Sequence, residues 1–262
     1  MKAILFDLDG VFYQGNQPIA GTAEIIKWVK EKNIPHLFVT NTSSRPRSEL
    51  VTKLAGFGLQ TEINHIFTPA IATLSWLNKN HIQQDIALYI PQQTKMDFAE
   101  IKEWKSDYTK PSSIVIGDLG FAWNYELMNK IFRQLMTQPV PPLIALGMTR
   151  YWQAEDGLRL DIAPFIKALE HASGVKAIVM GKPAQTFFDA AIDQLGINAK
   201  DVVMIGDDIV GDIKGAQDSG LKGWLVKTGK FREKDMEMNI KPDKVLTSVA
   251  ELKENWCAEN NA

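Results

Sequence analysis

Short runs rich in Ile, Val, Leu and Phe recur along this chain, and each ends at polar or glycine residues ahead of an amphipathic stretch. They lie at residues 3–6, 36–40, 85–90, 113–116, 143–146, 176–180, 202–205 and 223–226. Continuous apolar runs this short, bounded by Gly, Pro, Asn or Asp, read as strands buried on both faces. The segments between them, 22–32, 46–55, 69–78, 125–136, 162–172, 184–195 and 212–219, repeat their apolar residues at helical spacing. Strand and helix alternate throughout, which predicts an α/β fold built on a doubly wound parallel sheet. In such sheets ligands bind beyond the carboxyl ends of the strands. The polar residues that follow each strand are therefore the candidate functional groups.

Composition narrows the function classes. The 262 residues suffice for one large domain or two modest ones. The 29 Lys and Arg against 31 Asp and Glu give a net charge of -2. That argues against a nucleic-acid partner, which needs a basic face to neutralise phosphates. The apolar run at 3–6 is too short for a signal peptide or a membrane span. The single cysteine, Cys257, allows no internal disulfide and no thiolate metal cluster. A reducing, cytoplasmic setting is expected.

Four strand ends carry chemistry-bearing residues. Asp7 and Asp9 follow the first strand two residues apart, a spacing that puts both carboxylates on one side of an extended chain. After the second strand, Thr40-Asn41-Thr42-Ser43-Ser44 supplies hydroxyls, an amide and backbone N–H groups ahead of a helix, enough to cradle a phosphate or simply to cap that helix. Lys182 follows the strand at 176–180 and can carry an ammonium into the strand-end cleft. Last comes Gly206-Asp207-Asp208-Ile209-Val210-Gly211-Asp212. Three carboxylates so close behind an apolar strand are costly unless a cation is bound, and Mg2+ suits carboxylate and water oxygens. Asp207 is the expected ligand; Asp208 also fits a solvent-facing position, and Asp212 a cap on the next helix. Asp7, Asp9 and Asp207 with a phosphate dianion would gather about five negative charges, of which Mg2+ and Lys182 return about three.

The order Asp7-Leu8-Asp9-Gly10, Thr40-Asn41, Lys182 and Gly206-Asp207-Asp208 with Asp212 resembles the haloacid dehalogenase superfamily, specifically its phosphatases. The interval from Thr40 to Lys182 resembles the inserted α/β cap of the p-nitrophenylphosphatase-like, type IIA branch. Residues 121–135, 151–174 and 205–220 are similar to the phospholysine phosphohistidine inorganic pyrophosphate phosphatase group and its hydrolase-domain relatives. Val11 departs from the Thr that many members carry after the Gly, without removing a catalytic group.

The resemblance implies a Rossmann-like core at residues 1–79 and 177–262 and a smaller α/β cap at 80–176. It implies that Asp7 attacks phosphorus to form an aspartyl-phosphate, and that Asp9 protonates the leaving group and then activates water. Mg2+ would be held by Asp7, Asp207 and the main-chain carbonyl of Asp9. Thr40, Asn41, Thr42 and Lys182 would hold the transferring phosphoryl group. Asp208 and Asp212 would lie outside the metal's direct contacts or cap a helix. In the cap, Arg150, Tyr151 and Trp152 fall in an expected substrate-facing loop after the strand at 143–146, with aromatic packing as the competing role. The implied substrate is a small phosphorylated molecule, including pyrophosphate or phosphoramidates, and a homodimer through the cap is the implied assembly. A phosphomutase sharing the intermediate, or a phosphate-binding regulator without turnover, are the alternatives.

Overall fold

The computed structural model describes residues 1–106, 110–154 and 156–260. The chain divides into two compact units, Met1–Thr40, Arg47–Phe67 and Lys182–Ala262 forming one, Asn41–Pro46 and Thr68–Gly181 the other. These divisions fall at other positions than 79 and 177: the helix Pro69–Lys79 groups with the inserted unit, as does the short segment Asn41–Pro46.

The first unit is built on a six-stranded parallel sheet. Its spatial order is Lys244–Leu246, Lys222–Val226, Val202–Gly206, Ala3–Phe6, His36–Val39, Ile66–Phe67. Every residue of Ala3–Phe6, His36–Val39 and Val202–Gly206 is buried, as expected of strands covered on both faces. The rings of Phe6, Phe12 and Phe38 pack on one another at centroid distances of 5.2 to 5.9 Å, anchoring the first strand to its neighbour. The strand order reverses at Ala3–Phe6, whose neighbours are His36–Val39 on one side and Val202–Gly206 on the other. This is the switch point at which a ligand crevice is expected. The pairing of Phe6 with Ile205, continued by the Asp7 amide donating to the Ile205 carbonyl at 2.9 Å, sets the two acidic motifs side by side.

The second unit carries its own five-stranded parallel sheet, in the order Ala177–Val179, Leu143–Ala145, Ser113–Ile116, Gln84–Tyr89, Lys102–Glu103. The helices Tyr125–Leu135 and Ile162–Ser173 pack on it through Ile131, Leu135, Ile166 and Leu169. Both helices start at a side-chain cap: Asn124 Oδ1 accepts from the Leu127 amide at 2.9 Å, and Asp161 Oδ1 from the Ile162 amide at 2.6 Å. Trp123 stacks on Phe165, with centroids 4.3 Å apart, and so belongs to the packing of this unit.

Two local expectations change. The helix expected at 212–219 begins earlier, as a π-helical turn over Ile209–Lys214 followed by Gly215–Asp218, because Asp208 caps it. Tyr151 and Trp152 stand on a strand rather than in a loop. Tyr151–Ala154 pairs antiparallel with Gly157–Leu160, a hairpin too short to show its alternation in the sequence. Among the described residues, no helix is long and apolar enough to cross a membrane.

Candidate active site

In the first unit, the carboxyl ends of Ala3–Phe6, His36–Val39 and Val202–Gly206 deliver Asp7, Thr40 and Asp207. Lys182 opens the final segment of this unit. All four are buried. The Lys182 ammonium lies 2.5 Å from Asp7 Oδ1 and 2.7 Å from Asp212 Oδ1, and also approaches the Val39 carbonyl at 3.4 Å. Burial works against that ammonium, but the Asp212 and Asp7 carboxylates overcome it and hold the lysine protonated well above its ordinary range.

Asp7, Asp207 and Asp212 each offer a carboxylate oxygen within 4.8 Å of the others. Burial, Asp7 and Asp212 together push the Asp207 carboxyl up to about 7. Asp212 is pushed up to about 6, by burial first and by Asp7 next, against the pull of Lys182. The Oδ2 of Asp207 accepts from the Lys230 amide at 2.6 Å, while its Oδ1 is buried with no hydrogen-bond partner. An orphaned anionic oxygen beside two further carboxylates is the environment a hard divalent cation completes, so the residues present fit Mg2+.

Of the two roles expected of Asp212, lying outside the metal's direct contacts or capping a helix, the cap falls away. Asp212 caps no helix: only 1% exposed, it faces Lys182 with one oxygen and accepts the Asp208 amide with the other at 3.1 Å. Asp208 takes the cap instead, its Oδ1 accepting from the amides of Gly211 at 2.8 Å and Val210 at 3.1 Å. Burial works against the Asp208 carboxylate, yet the Gly211 amide, Lys230 and the Val210 amide hold it below the usual range. The wide turn after Asp208 is what swings Asp212 back toward the strand end, and a helix assigned from residue 212 conceals it.

Asp9 is exposed and its side chain is not one of the clustered carboxylates. The strand itself ends at Phe6, short of Asp9. A bridge from Asp9 to Tyr13, with the Gly10 amide donating to the Tyr13 carbonyl at 2.7 Å, closes the loop. Thr40 is buried at the end of its strand, its amide donating to the Phe67 carbonyl at 3.1 Å. Asn41 and Thr42 group with the second unit. There the carbonyls of Ser43 and Ser44 accept from Thr94 Oγ1 at 2.8 Å and Gln93 Nε2 at 3.0 Å.

Sequence reasoning did not single out Lys230. Its amide holds Asp207, and its ammonium lies 3.5 Å from Asp208 Oδ2. Its side chain is largely exposed; partial desolvation opposes its charge, but Asp208, Asp7, Asp207 and Asp212 more than reverse that and raise its proton affinity above the ordinary value. The residue sits in a loop after the strand Lys222–Val226 with no motif around it; the preceding Thr228-Gly229 was the available signal.

In the second unit, Arg150, Tyr151 and Trp152 are exposed. The Arg150 guanidinium lies 5.8 Å from the Tyr151 ring centroid. Arg159, paired to Asp156 at 2.7 and 3.0 Å, lies over the rings of Phe121 and Trp152 at 4.8 and 5.7 Å.

A buried lysine bridging the strand-end Asp7 and Asp212 of the π-helical turn, with the strand-end Asp207 beside them on a doubly wound sheet, fits a phosphoryl-transfer site of the haloacid dehalogenase type. The haloacid dehalogenase-like hydrolase family pattern matches residues 4–102, and a second pattern, HAD-hydrolase-like, matches residues 179–252. The human phospholysine phosphohistidine inorganic pyrophosphate phosphatase is 37% identical over 256 residues, covering 96% of this chain and 92% of that protein. The human haloacid dehalogenase-like hydrolase domain-containing protein 2 is 35% identical over 247 residues, covering 94% of this chain and 92% of its own. Among solved structures, the 4-nitrophenylphosphatase of Thermotoga maritima superposes with a TM-score of 0.86 at 26% identity, with 97% of each chain covered. The p-nitrophenyl phosphatase of Archaeoglobus fulgidus also gives 0.86, at 28% identity, covering 97% of this chain and 98% of that one. The chain belongs to the haloacid dehalogenase-like hydrolase family, as one of its phosphatases.

Proposed function

We propose that this protein is a Mg2+-dependent phosphatase of small phosphorylated molecules that works through an aspartyl-phosphate on Asp7. The observation that carries the reading is the contact of Lys182 with Asp7 beside the partnerless Oδ1 of Asp207. Asp7 presents a buried carboxylate held in place by a permanent cation, as an in-line nucleophile requires. Attack by a carboxylate oxygen on phosphorus forms the O–P bond as the bond to the leaving group breaks. Asp9, exposed at the turn, is assigned the proton: it gives it to the leaving oxygen or nitrogen, then takes one from the water that hydrolyses the intermediate. Lys182 and Thr40 hold the equatorial oxygens of the phosphoryl group, where charge stabilisation is most of the catalysis.

Asp7, Asp207 and the main-chain carbonyl of Asp9 are the proposed protein ligands of Mg2+. The ion would offset the carboxylates and the phosphate charge. Asp212 is assigned to Lys182, whose ammonium it orients toward Asp7.

The names of the curated relatives favour pyrophosphate and nitrogen-phosphorylated amines as substrates, and those of the structural neighbours favour p-nitrophenyl phosphate. Arg150, Tyr151 and Trp152 are assigned to the non-phosphate part of the substrate, as an exposed cation and two exposed rings. The exposed apolar residues of the same hairpin, Leu158 and Leu160, support its use as a homodimer contact.

The test is phosphate release from p-nitrophenyl phosphate, pyrophosphate and a phosphoramidate, with Mg2+ or with EDTA. Turnover that needs the metal and disappears in Asp7→Asn is the expected result. Folded protein with Mg2+ that releases phosphate from none of them overturns the reading.

A further inference from the structure

The side chain of Asp207 is held from two sides by backbone that has no room for a β-carbon. A Cβ placed on Gly10 would lie 1.9 Å from Asp207 Oδ2, and one placed on Gly229 would lie 2.0 Å from the same atom. Both glycines also sit at positive φ, +89° and +61°, so two separate reasons exclude a larger residue at each. The two glycines approach each other closely as well: the Gly229 Cβ would stand 2.4 Å from the Gly10 Cα. Their loops are tied by the Thr228 hydroxyl, which donates to the Gly10 carbonyl at 2.5 Å. The Lys230 amide, one residue past Gly229, donates to Asp207 Oδ2. One oxygen of the carboxylate is thereby used by the protein, and the other, Oδ1, is left buried and bare.

We propose that the turn Thr228-Gly229-Lys230 is a positioning device for the metal ligand Asp207, fixing its rotation so that Oδ1 is presented to the cation. The inference rests on the metal-dependent reading above and adds to it residues outside the four sequence motifs. Thr228 acts at one remove, by closing the Gly10 loop onto the turn. Gly229 acts by absence, since any side chain there displaces the carboxylate. Lys230 acts through its main chain. Partners that orient a metal ligand are worth about 10- to 100-fold in metal affinity.

The experiment measures Mg2+ affinity by calorimetry and Mn2+ affinity by electron paramagnetic resonance on the full chain without substrate. Each variant's melting temperature is taken in EDTA. The variants are Thr228→Val, Thr228→Ser, Gly229→Ala and Asp207→Asn. The expected pattern is loss of metal binding in Asp207→Asn and a roughly tenfold or greater weakening in Thr228→Val and Gly229→Ala. Thr228→Ser keeps the hydroxyl and restores wild-type affinity, and the metal-free melting temperature of Thr228→Val stays near the wild type's. A fold defect alone would move the melting temperature without this split between Val and Ser. If Gly229→Ala does not fold, the Thr228 pair decides. Wild-type affinity in folded Thr228→Val overturns the positioning role while leaving the phosphatase reading intact. Failure of the wild-type protein to bind either ion overturns both.

Discussion

The imidazole of His36 lies flat on that of His65, with ring centroids 4.7 Å apart and planes 2° from parallel. His36 is buried among Phe6 and Phe38, and its Nδ1–H donates to the Ile34 carbonyl at 2.9 Å. Burial pushes its pKa below the ordinary 6.5; the Ile34 bond opposes that, while His65 and Lys30 add to it. The unfolded chain therefore takes up a proton as pH falls through about 6.5 while the folded protein resists it. Stability is full above that pH and is lost on acidification below it. His36→Phe removes this contribution, so its urea midpoint should fall less than the wild type's between pH 7.5 and 5.5. The wild-type excess approaches about 1.4 kcal/mol per pH unit at its steepest. Equal slopes for the two proteins would show that His36 protonates freely in the fold.

Asp207 works in the opposite direction when the metal is removed. Its carboxyl is raised from 3.8 to about 7, so between those values the folded protein holds a proton that the unfolded chain has released. Metal-free protein thus loses stability as pH rises through about 7, and Mg2+ restores it by binding the folded state. Asp207→Asn should stabilise the protein in EDTA at pH 8 by about 1–3 kcal/mol and abolish the gain from Mg2+. Urea denaturation with EDTA and with Mg2+ measures both effects.

Lys182 is the cation on which two buried carboxylates depend. Lys182→Met leaves Asp7 and Asp212 facing each other unneutralised. That substitution is expected to cost about 3–5 kcal/mol of stability. Phosphate release should fall at least about 100-fold, measured at a temperature where the variant remains folded. A variant as stable as the wild type would mean that the two acids share a proton instead.

The exposed hairpin predicts the reverse profile. Tyr151→Ala and Trp152→Ala remove exposed rings and should change stability by less than about 0.5 kcal/mol. If these rings meet the substrate, they alter the kcat/KM ranking across a panel of phosphate esters that differ only in the leaving group. A uniform loss across the panel would point to assembly rather than recognition.

The strands, the parallel sheet and three of the four motif positions were legible because a buried parallel strand is a continuous apolar run, and its polar end marks the crevice. Lys182 comes after Ala177–Val179, a half-buried edge strand of the second unit's sheet, and only Asp7, Thr40 and Asp207 keep that rule. Asp212 does not, because a π-helical turn, which leaves no periodic signature over six residues, brings it back to Lys182. Gly229 and Lys230 act through what the backbone does at one point, and the one signal in the residues, Thr228-Gly229, marks no more than a turn. The hairpin at Tyr151 and Trp152 was hidden for a different reason. Its alternation, Leu158-Arg159-Leu160, spans too few residues to stand out, and its apolar side chains are exposed.

The placement of Ala3–Phe6 at the middle of its sheet governs the order in which the protein can be assembled during synthesis. One neighbour, His36–Val39, follows within a few dozen residues, but the other, Val202–Gly206, is made only after the whole inserted unit. At about 5–20 residues per second, a ribosome leaves the strand that carries Asp7 open along one edge for roughly 10–40 seconds. Through that interval the nascent chain carries a fully apolar edge that a chaperone must keep from pairing wrongly.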